Sequence, residues 1–260
     1  MTTSMNGKTK ISNWREYLVI PFDLAQFVLE NRLSSPFRLY IYFQFTTSGR
    51  FELNKVIDQV CKDLEIKSKK TIHKNLNRLV ELDWFGRKRK TDIYFLRSIE
   101  YLHQKCKHKR WATRIYINDL KHFRAFLAGS VISSLVNSML RMRKPERLKK
   151  GLSLQGFRSH HGYWLVASKM IAEVLNISTS SALKYKKLAQ RYNYIQIQSN
   201  SKFVPGNLSM EFVNLYKEFH PEEAERVRIF EGRVGIQLPD LVRTNMLLVR
   251  RKKSNTYSKG

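Results

Sequence analysis

The stretch LNKVIDQVCKDLEIKSKKTIHKNLNRLVEL, residues 53–82, predicts two helices joined by a tight turn. Its apolar residues recur at helical spacing on both sides of a polar segment that Ile66 closes. The same apolar spacing returns in the second half of the chain. The matching positions are Val60, Leu64, Ile66 and Ile72 in the first copy, and Ile171, Leu175, Ile177 and Leu183 in the second. The repetition predicts that the chain contains one supersecondary unit twice.

Each copy is expected to hold a short amphipathic helix, a turn, and a second helix that begins after a hydroxyl N-cap. The first copy has helices at 53–64 and 69–82 with Ser68 as the cap, and the second has helices at 168–175 and 180–192 with Thr179 as the cap.

A short β-rich stretch follows each copy. After the first, a hairpin is predicted from Trp84, with the residues GRKRK, 86–90, at its tip and with Ile93 and Phe95 on the return strand. After the second, residues 194–198 are expected to pair with 202–204 through a turn at 199–201. The first tip is strongly basic, whereas the second hairpin is almost uncharged.

An apolar helix is predicted before each copy, at 37–45 and from 118 to about 143. The Tyr and Phe enrichment of 37–45 also leaves a strand possible there. A helix, a helix-turn-helix and a β-hairpin in this order resemble the winged-helix fold. The resemblance implies a mainly α fold with small β-hairpin wings, built as two winged helix-turn-helix domains in tandem. The expected parts are a polar N-terminal arm (1–16), a first winged-helix domain (17–105), a basic linker (106–118), a second winged-helix domain (119–208) with an inserted loop (151–162), and a C-terminal helix with a basic tail that frays (209–260).

The charge of the chain requires a polyanionic partner. The 260 residues include 48 Lys and Arg against 21 Asp and Glu, a net charge of +27. Between Tyr101 and Met210 there are 20 basic and only three acidic residues, so this part carries most of the excess. Because 42% of the residues are hydrophobic, the chain is expected to fold around a core and not to be a disordered basic protein.

Several other classes of protein are disfavoured. There is no GxxxxGK[ST] phosphate loop, no nucleophile motif and no acid cluster for a two-metal site, so no enzymatic activity is expected. His103, Cys106 and His108 only loosely match zinc spacing, and ordinary surface residues are the expected reading, with no metal and no cofactor. The uncharged stretch 125–140 is too short and too polar to cross a membrane and predicts a buried helix. With no signal peptide and only Cys61 and Cys106 as cysteines, a cytoplasmic protein is expected.

A helix-turn-helix binds double-stranded DNA because its second helix fits the major groove, where exposed polar side chains reach bases and phosphates. In the first copy Ile72, Leu76, Leu79 and Val80 predict the buried side of that helix, and in the second Leu183, Leu188 and Tyr192 do so. The candidate DNA-binding residues of the two helices are Lys69, Lys70, His73, Lys74 and Asn77, and Ser180, Ser181, Lys184 and Lys187. Those of the first hairpin tip are Arg87, Lys88, Arg89 and Lys90, and those elsewhere are Lys109, Arg110, Lys202, Arg250, Arg251 and Lys252. His73 and Asn77 suit base contacts, and the lysines suit phosphates.

The layout of residues 17–204 resembles that of plasmid replication initiators and, more loosely, of phage replisome organisers. The resemblance implies a nucleoid-associated bacterial or phage-encoded protein that binds direct DNA repeats near an origin. It also implies a host replication helicase or its loader as a partner, and a homodimer as one assembly. Two other readings stay open: a transcriptional regulator, and an architectural or protein-interaction component of a nucleic-acid complex. Iterated repeats beside an origin favour initiation, and a promoter palindrome favours regulation.

Overall fold

The computed structural model describes residues 16–104, 111–149, 162–203, 210–219, 224–230 and 233–250. The fold is mainly α-helical with small antiparallel sheets. Contacts within the chain define two compact units, residues 1–131 with 246–260 and residues 132–245. The expected N-terminal arm, apart from residue 16, lies outside the described residues, as does the inserted loop apart from Gly162.

Helices build most of unit 1. They are α1 (Phe22–Glu30), α2 (Ser34–Thr46), α3 (Leu53–Asp63), α4 (Lys69–Glu81), α5 (Ile99–Gln104), a 3-10 helix (Ile117–His122) and the first part of α6 (Phe123–Lys149). Helix α2 is buried along most of its length because its aromatic side chains form the centre of the core. The rings of Phe43 and Phe51 stack with centroids 3.8 Å apart, and Phe37 meets Trp84 edge-on at 5.5 Å. The prediction of a buried helix over the apolar stretch 37–45 is therefore confirmed.

Two three-stranded antiparallel sheets complete unit 1. The first contains β2 (Arg50–Glu52), β3 (Phe85–Arg87) and β4 (Ile93–Leu96) in the order β2-β4-β3. The hairpin formed by β3 and β4 confirms the prediction from the sequence. The second contains β1 (Leu18–Pro21), β5 (Trp111–Ile115) and β10 (Leu248–Arg250) in the order β1-β5-β10.

The sheet around β5 corrects two expectations. The predicted basic linker, 106–118, contains the central strand β5, in which Ala112 and Ile115 are fully buried. The predicted frayed tail supplies β10, in which Leu248 pairs with Thr113. Both segments looked irregular in sequence, because a short strand that pairs only with distant parts of the chain leaves no local pattern.

The described residues of unit 2 form the second helix pair and a four-stranded sheet. Its elements after α6 are β6 (Trp164–Leu165), α7 (Ser168–Leu175), α8 (Thr179–Arg191), β7 (Ile195–Phe203), α9 (Met210–Phe219), a 3-10 helix (Ala224–Arg226), β8 (Val227–Phe230) and β9 (Arg233–Thr244). Strand β9 pairs antiparallel with β6, β7 and β8.

The second hairpin expected from the sequence is wrong. Residues 199–201 do not form a turn, because β7 continues through them with an irregularity between Gln198 and Asn200. Its partner is β9, where Ile197 pairs with Val242 and Lys202 with Ile236. A polar Ser-Asn-Ser segment has the composition of a turn, yet a bulge lets it stay in the strand when a long partner strand is present.

The two helix pairs begin in the same way and then fall out of step. Glu65 and Asn176, which occupy matching places in the repeat, both take a left-handed backbone conformation after the first helix, with φ of 53° and 49°. After the second helix the matching hydrogen bonds are Trp84 N–H to Leu79 O and Tyr194 N–H to Ala189 O. Glu65 and Asn176 are 111 positions apart, and the same offset would match Trp84 to Ile195, one position after Tyr194. The turn of the second pair is therefore one residue shorter than the turn of the first.

This shift overturns part of the predicted face of α8. Leu183 is 41% exposed, and Ala182 takes the buried place that Ile72 has in α4. Because the turn is shorter, the cap of α8 is Ser178, whose Oγ accepts from Ser181 N–H, and not Thr179. Ser68 does stand at the N-cap of α4, but its side chain makes no capping hydrogen bond there.

Candidate nucleic-acid interface

One side of α4 is exposed and basic, as the sequence predicts. Its buried side contains Ile72, Leu76 and Leu79, each fully buried. The side chains that project from the opposite side are Lys70, His73, Lys74 and Asn77. This side of the helix presents two ammonium groups, an imidazole and an amide, groups that bind phosphates and base edges.

Lys69 differs from its neighbours because it is engaged inside unit 1. Its Nζ lies 2.5 Å from Asp58 Oδ1 on α3. The hydrogen bond and the charge of Asp58 raise the pKa of Lys69, and its charge is largely balanced by this carboxylate. Lys69 therefore ties the two helices of the pair together and is a weaker candidate for a phosphate contact than Lys70.

The tip of the β3–β4 hairpin divides into one fixed residue and three exposed cations. Arg87 pairs with Asp92 at 3.1 Å and donates through Nε to Thr91 O, and its guanidinium lies 5.6 Å from the Tyr94 ring centroid. Asp92 also accepts from Asn54 Nδ2 at 2.7 Å, which fastens the hairpin to the start of α3. Beyond Arg87 come three exposed side chains, Lys88, Arg89 and Lys90.

No ion pair involves these three tip residues within the described part of the chain, and a left-handed Lys90 (φ 57°) helps to reverse the chain. The tip therefore offers three positive charges to an external anion. The sequence predicts all four residues as DNA-binding; in the structure Arg87 is engaged within the hairpin, and the other three are exposed.

In the second pair, Lys184 and Lys187 are exposed on α8 as predicted. Ser180 is exposed, whereas Ser181 is engaged at the cap, where its Oγ lies 2.9 Å from Ser178 Oγ. This pair thus presents fewer polar groups to an external ligand than α4.

If the second pair binds duplex DNA as the sequence predicts, replacing Lys184 and Lys187 together by Ala is expected to weaken that binding about tenfold or more without unfolding the protein, because two exposed charges are lost. The affinity is measured by fluorescence anisotropy and the fold by circular dichroism. Lys169→Ala, an exposed residue of α7, is the control for a charge lost elsewhere in the same pair. Unchanged affinity of the double variant would make the second pair a purely structural element.

A buried ion pair in unit 2 is the feature that the sequence does not reveal. Lys186 stands where α4 has Leu76, with 1% of its side chain exposed. Its Nζ donates to Asp240 Oδ2 and to Val166 O, each at 2.7 Å. The lysine thereby joins α8 to β9 and to the end of β6, and it is not available to a ligand.

The remaining predicted residues are scattered. Lys202 lies in β7, and Arg250 is the exposed last residue of β10. Lys109, Arg110, Arg251 and Lys252 fall outside the described residues. Among the described residues no group of three His, Cys, Asp or Glu side chains could hold a metal ion, and Cys106 and His108 are not described.

The long helical segment Ile117–Arg141 is apolar and long enough to cross a membrane by length and composition alone. However, 67% of its most apolar window is buried inside the protein. Phe126, Leu127 and Ile132 are fully buried, so the prediction of a buried helix over 125–140 is confirmed.

Comparisons of the chain with protein-family models, with curated proteins and with solved structures find no significant match.

Proposed function

We propose that the protein is a non-enzymatic, sequence-specific double-stranded DNA-binding protein with two tandem winged-helix modules. The observation that carries the proposal is the combination of an exposed basic side on α4 with three exposed cations at the adjacent hairpin tip. A helix of this kind fits the major groove, and a basic hairpin beside it meets the phosphate backbone. The net charge of +27 adds long-range attraction to a polyanion.

Within this class we propose initiation of replication of a plasmid, phage or mobile element. The support is the layout of two helix pairs, each preceded by an apolar helix, in one basic chain. The two helix pairs are not equivalent, since a basic hairpin follows the first and not the second. A chain with two unequal pairs suits an asymmetric unit that is repeated in one direction better than a palindrome.

The experiment that tests the proposal selects bound sequences from a pool of random duplexes with the full chain. A direct repeat is the expected outcome and supports initiation. A palindrome would favour transcriptional regulation, and the absence of any enriched motif would contradict sequence-specific binding.

Binding is expected to depend steeply on salt. Helix α4 and the hairpin tip together carry five exposed cations with no ion pair among the described residues: Lys70, Lys74, Lys88, Arg89 and Lys90. If each neutralises one phosphate, these five alone contribute about −4.5 to the slope of log K against log salt, so a threefold rise in salt lowers affinity at least about 100-fold. Equilibrium titrations between about 0.1 and 0.3 M KCl measure the slope. A flat response would contradict the electrostatic account.

A further inference from the structure

A groove with a volume of about 760 Å³ lies between α4 and the turn that joins α1 to α2. Arg32 lines it from the turn, Ser35 from the start of α2, and Lys70, Lys74 and Arg78, among others, from α4. Four basic residues and one acid, Glu81, line it, and Glu81 is 2.9 Å from Arg78. The groove is therefore positively charged.

The floor of the groove holds an unsatisfied hydrogen-bond donor. Asn75 lines the groove, is only 7% exposed, and its Nδ2 has no hydrogen-bond partner among the described residues. A buried amide donor without a partner is costly, so its presence calls for an explanation. An acceptor that enters the groove provides one if the Asn75 side chain turns to meet it, since Nδ2 itself is not exposed.

The shape and the donors of the groove select the chemistry of the occupant. Residues with ammonium, guanidinium and amide groups line it, so the occupant is an anion rich in acceptors, as phosphate oxygens are. The α4 side extends from Lys70 to Glu81, roughly 16 Å at the helical rise, which is far longer than a single phosphate ion. An extended chain of phosphodiesters matches this length and this charge.

We propose that the groove binds the sugar-phosphate backbone of one strand of the DNA whose major groove α4 enters. This inference rests on the proposed function and deepens it. Arg32, Lys70 and Lys74 neutralise phosphates, and Asn75 donates through Nδ2 to a phosphate oxygen. Two of these four residues, Arg32 and Asn75, are absent from the set predicted from the sequence.

The test uses the full chain and two duplexes of about 20 base pairs, one carrying the selected site and one of mixed sequence, which differ only in base contacts. Arg32→Gln is expected to raise Kd about three- to tenfold on both duplexes and to make the salt slope shallower by about 0.9, since one phosphate contact is lost. Lys121→Gln, an exposed residue of the 3-10 helix, is the matched control and should change neither quantity.

In the Asn75→Leu variant, stability and DNA affinity are expected to change independently of each other. The variant removes the unsatisfied donor, so the thermal midpoint should stay the same or rise, while Kd rises about tenfold because a hydrogen bond to a charged group is lost. The salt slope should not change, because no charge is removed. Asn75→Ala provides the same binding test if the leucine variant fails to fold.

Unchanged Kd in both the Arg32 and the Asn75 variants would overturn the inference while leaving DNA binding by the protein intact. Titration with ADP by calorimetry examines the other source of phosphate. ADP binding that depends on Asn75, together with duplex binding that does not, would assign the groove to a free nucleotide and overturn the inference as well. Failure of the unaltered protein to bind either duplex would instead overturn the proposed function itself.

Discussion

Replacing Lys70, Lys74, Lys88, Arg89 and Lys90 together by Gln is expected to lower the affinity for duplex DNA roughly 3,000-fold at about 0.15 M salt. At this salt concentration the release of counterions from one neutralised phosphate is worth about fivefold in affinity, and five such contacts multiply. The slope of log K against log salt should at the same time become less negative by about 4.5. All five side chains are exposed, so the thermal midpoint should stay within a few degrees of the unaltered protein.

The control for this variant removes an equal charge from other exposed sites. They are Lys55, Lys121, Arg124, Lys169 and Arg226, each replaced by Gln. This control keeps the net charge of the two variants equal, so it separates local phosphate contacts from general attraction. Equal losses of affinity in the two variants would show that α4 and the hairpin tip have no special role.

Replacing Lys186 by Ala is expected to lower the free energy of unfolding by about 3 kcal/mol or more, because it leaves a partly buried carboxylate and a buried carbonyl without their donor. Asp240 has 26% of its side chain exposed, so water relieves part of this cost and the effect lies near the lower end for buried pairs. Urea unfolding followed by circular dichroism measures it. A change below about 0.5 kcal/mol would mean that the pair contributes little, as surface pairs do.

A double variant identifies the cause of that loss. Leu occupies the corresponding place in α4, where Leu76 is fully buried. Lys186→Leu combined with Asp240→Asn should therefore recover most of the lost stability, since no charge is then left without its partner. Lys186→Leu alone should remain destabilised, because the carboxylate keeps its charge without a partner.

The first helix pair and its hairpin could be predicted from sequence because their signals are local. Apolar spacing in 53–82 gives both helices almost to their ends, and the exposed side of α4 follows from the buried Ile72, Leu76 and Leu79. The basic tip was recognisable as a run of charged residues in a turn. Arg78 had a usable signal too, because it follows Lys74 by one helical turn.

The rest depended on contacts between distant parts of the chain. The partner of β7 is β9, which comes only after α9 and β8, so the Ser-Asn-Ser segment of β7 read as a turn. The sequence gives no sign that Lys186 is buried, because its partner Asp240 lies 54 residues away in the chain. The shortened turn of the second pair moved every later position by one, so an apolar match at Leu183 was a coincidence of spacing.

The late position of β10 in the chain has a consequence for biosynthesis. Strand β5 has one neighbour from near the beginning of the chain, Leu18–Pro21, and the other from Leu248–Arg250. During translation all of residues 132–245 leave the ribosome before this second neighbour exists. The nascent protein thus carries a strand edge that stays open to wrong pairing until β10 emerges, while unit 2 can already close its own sheet.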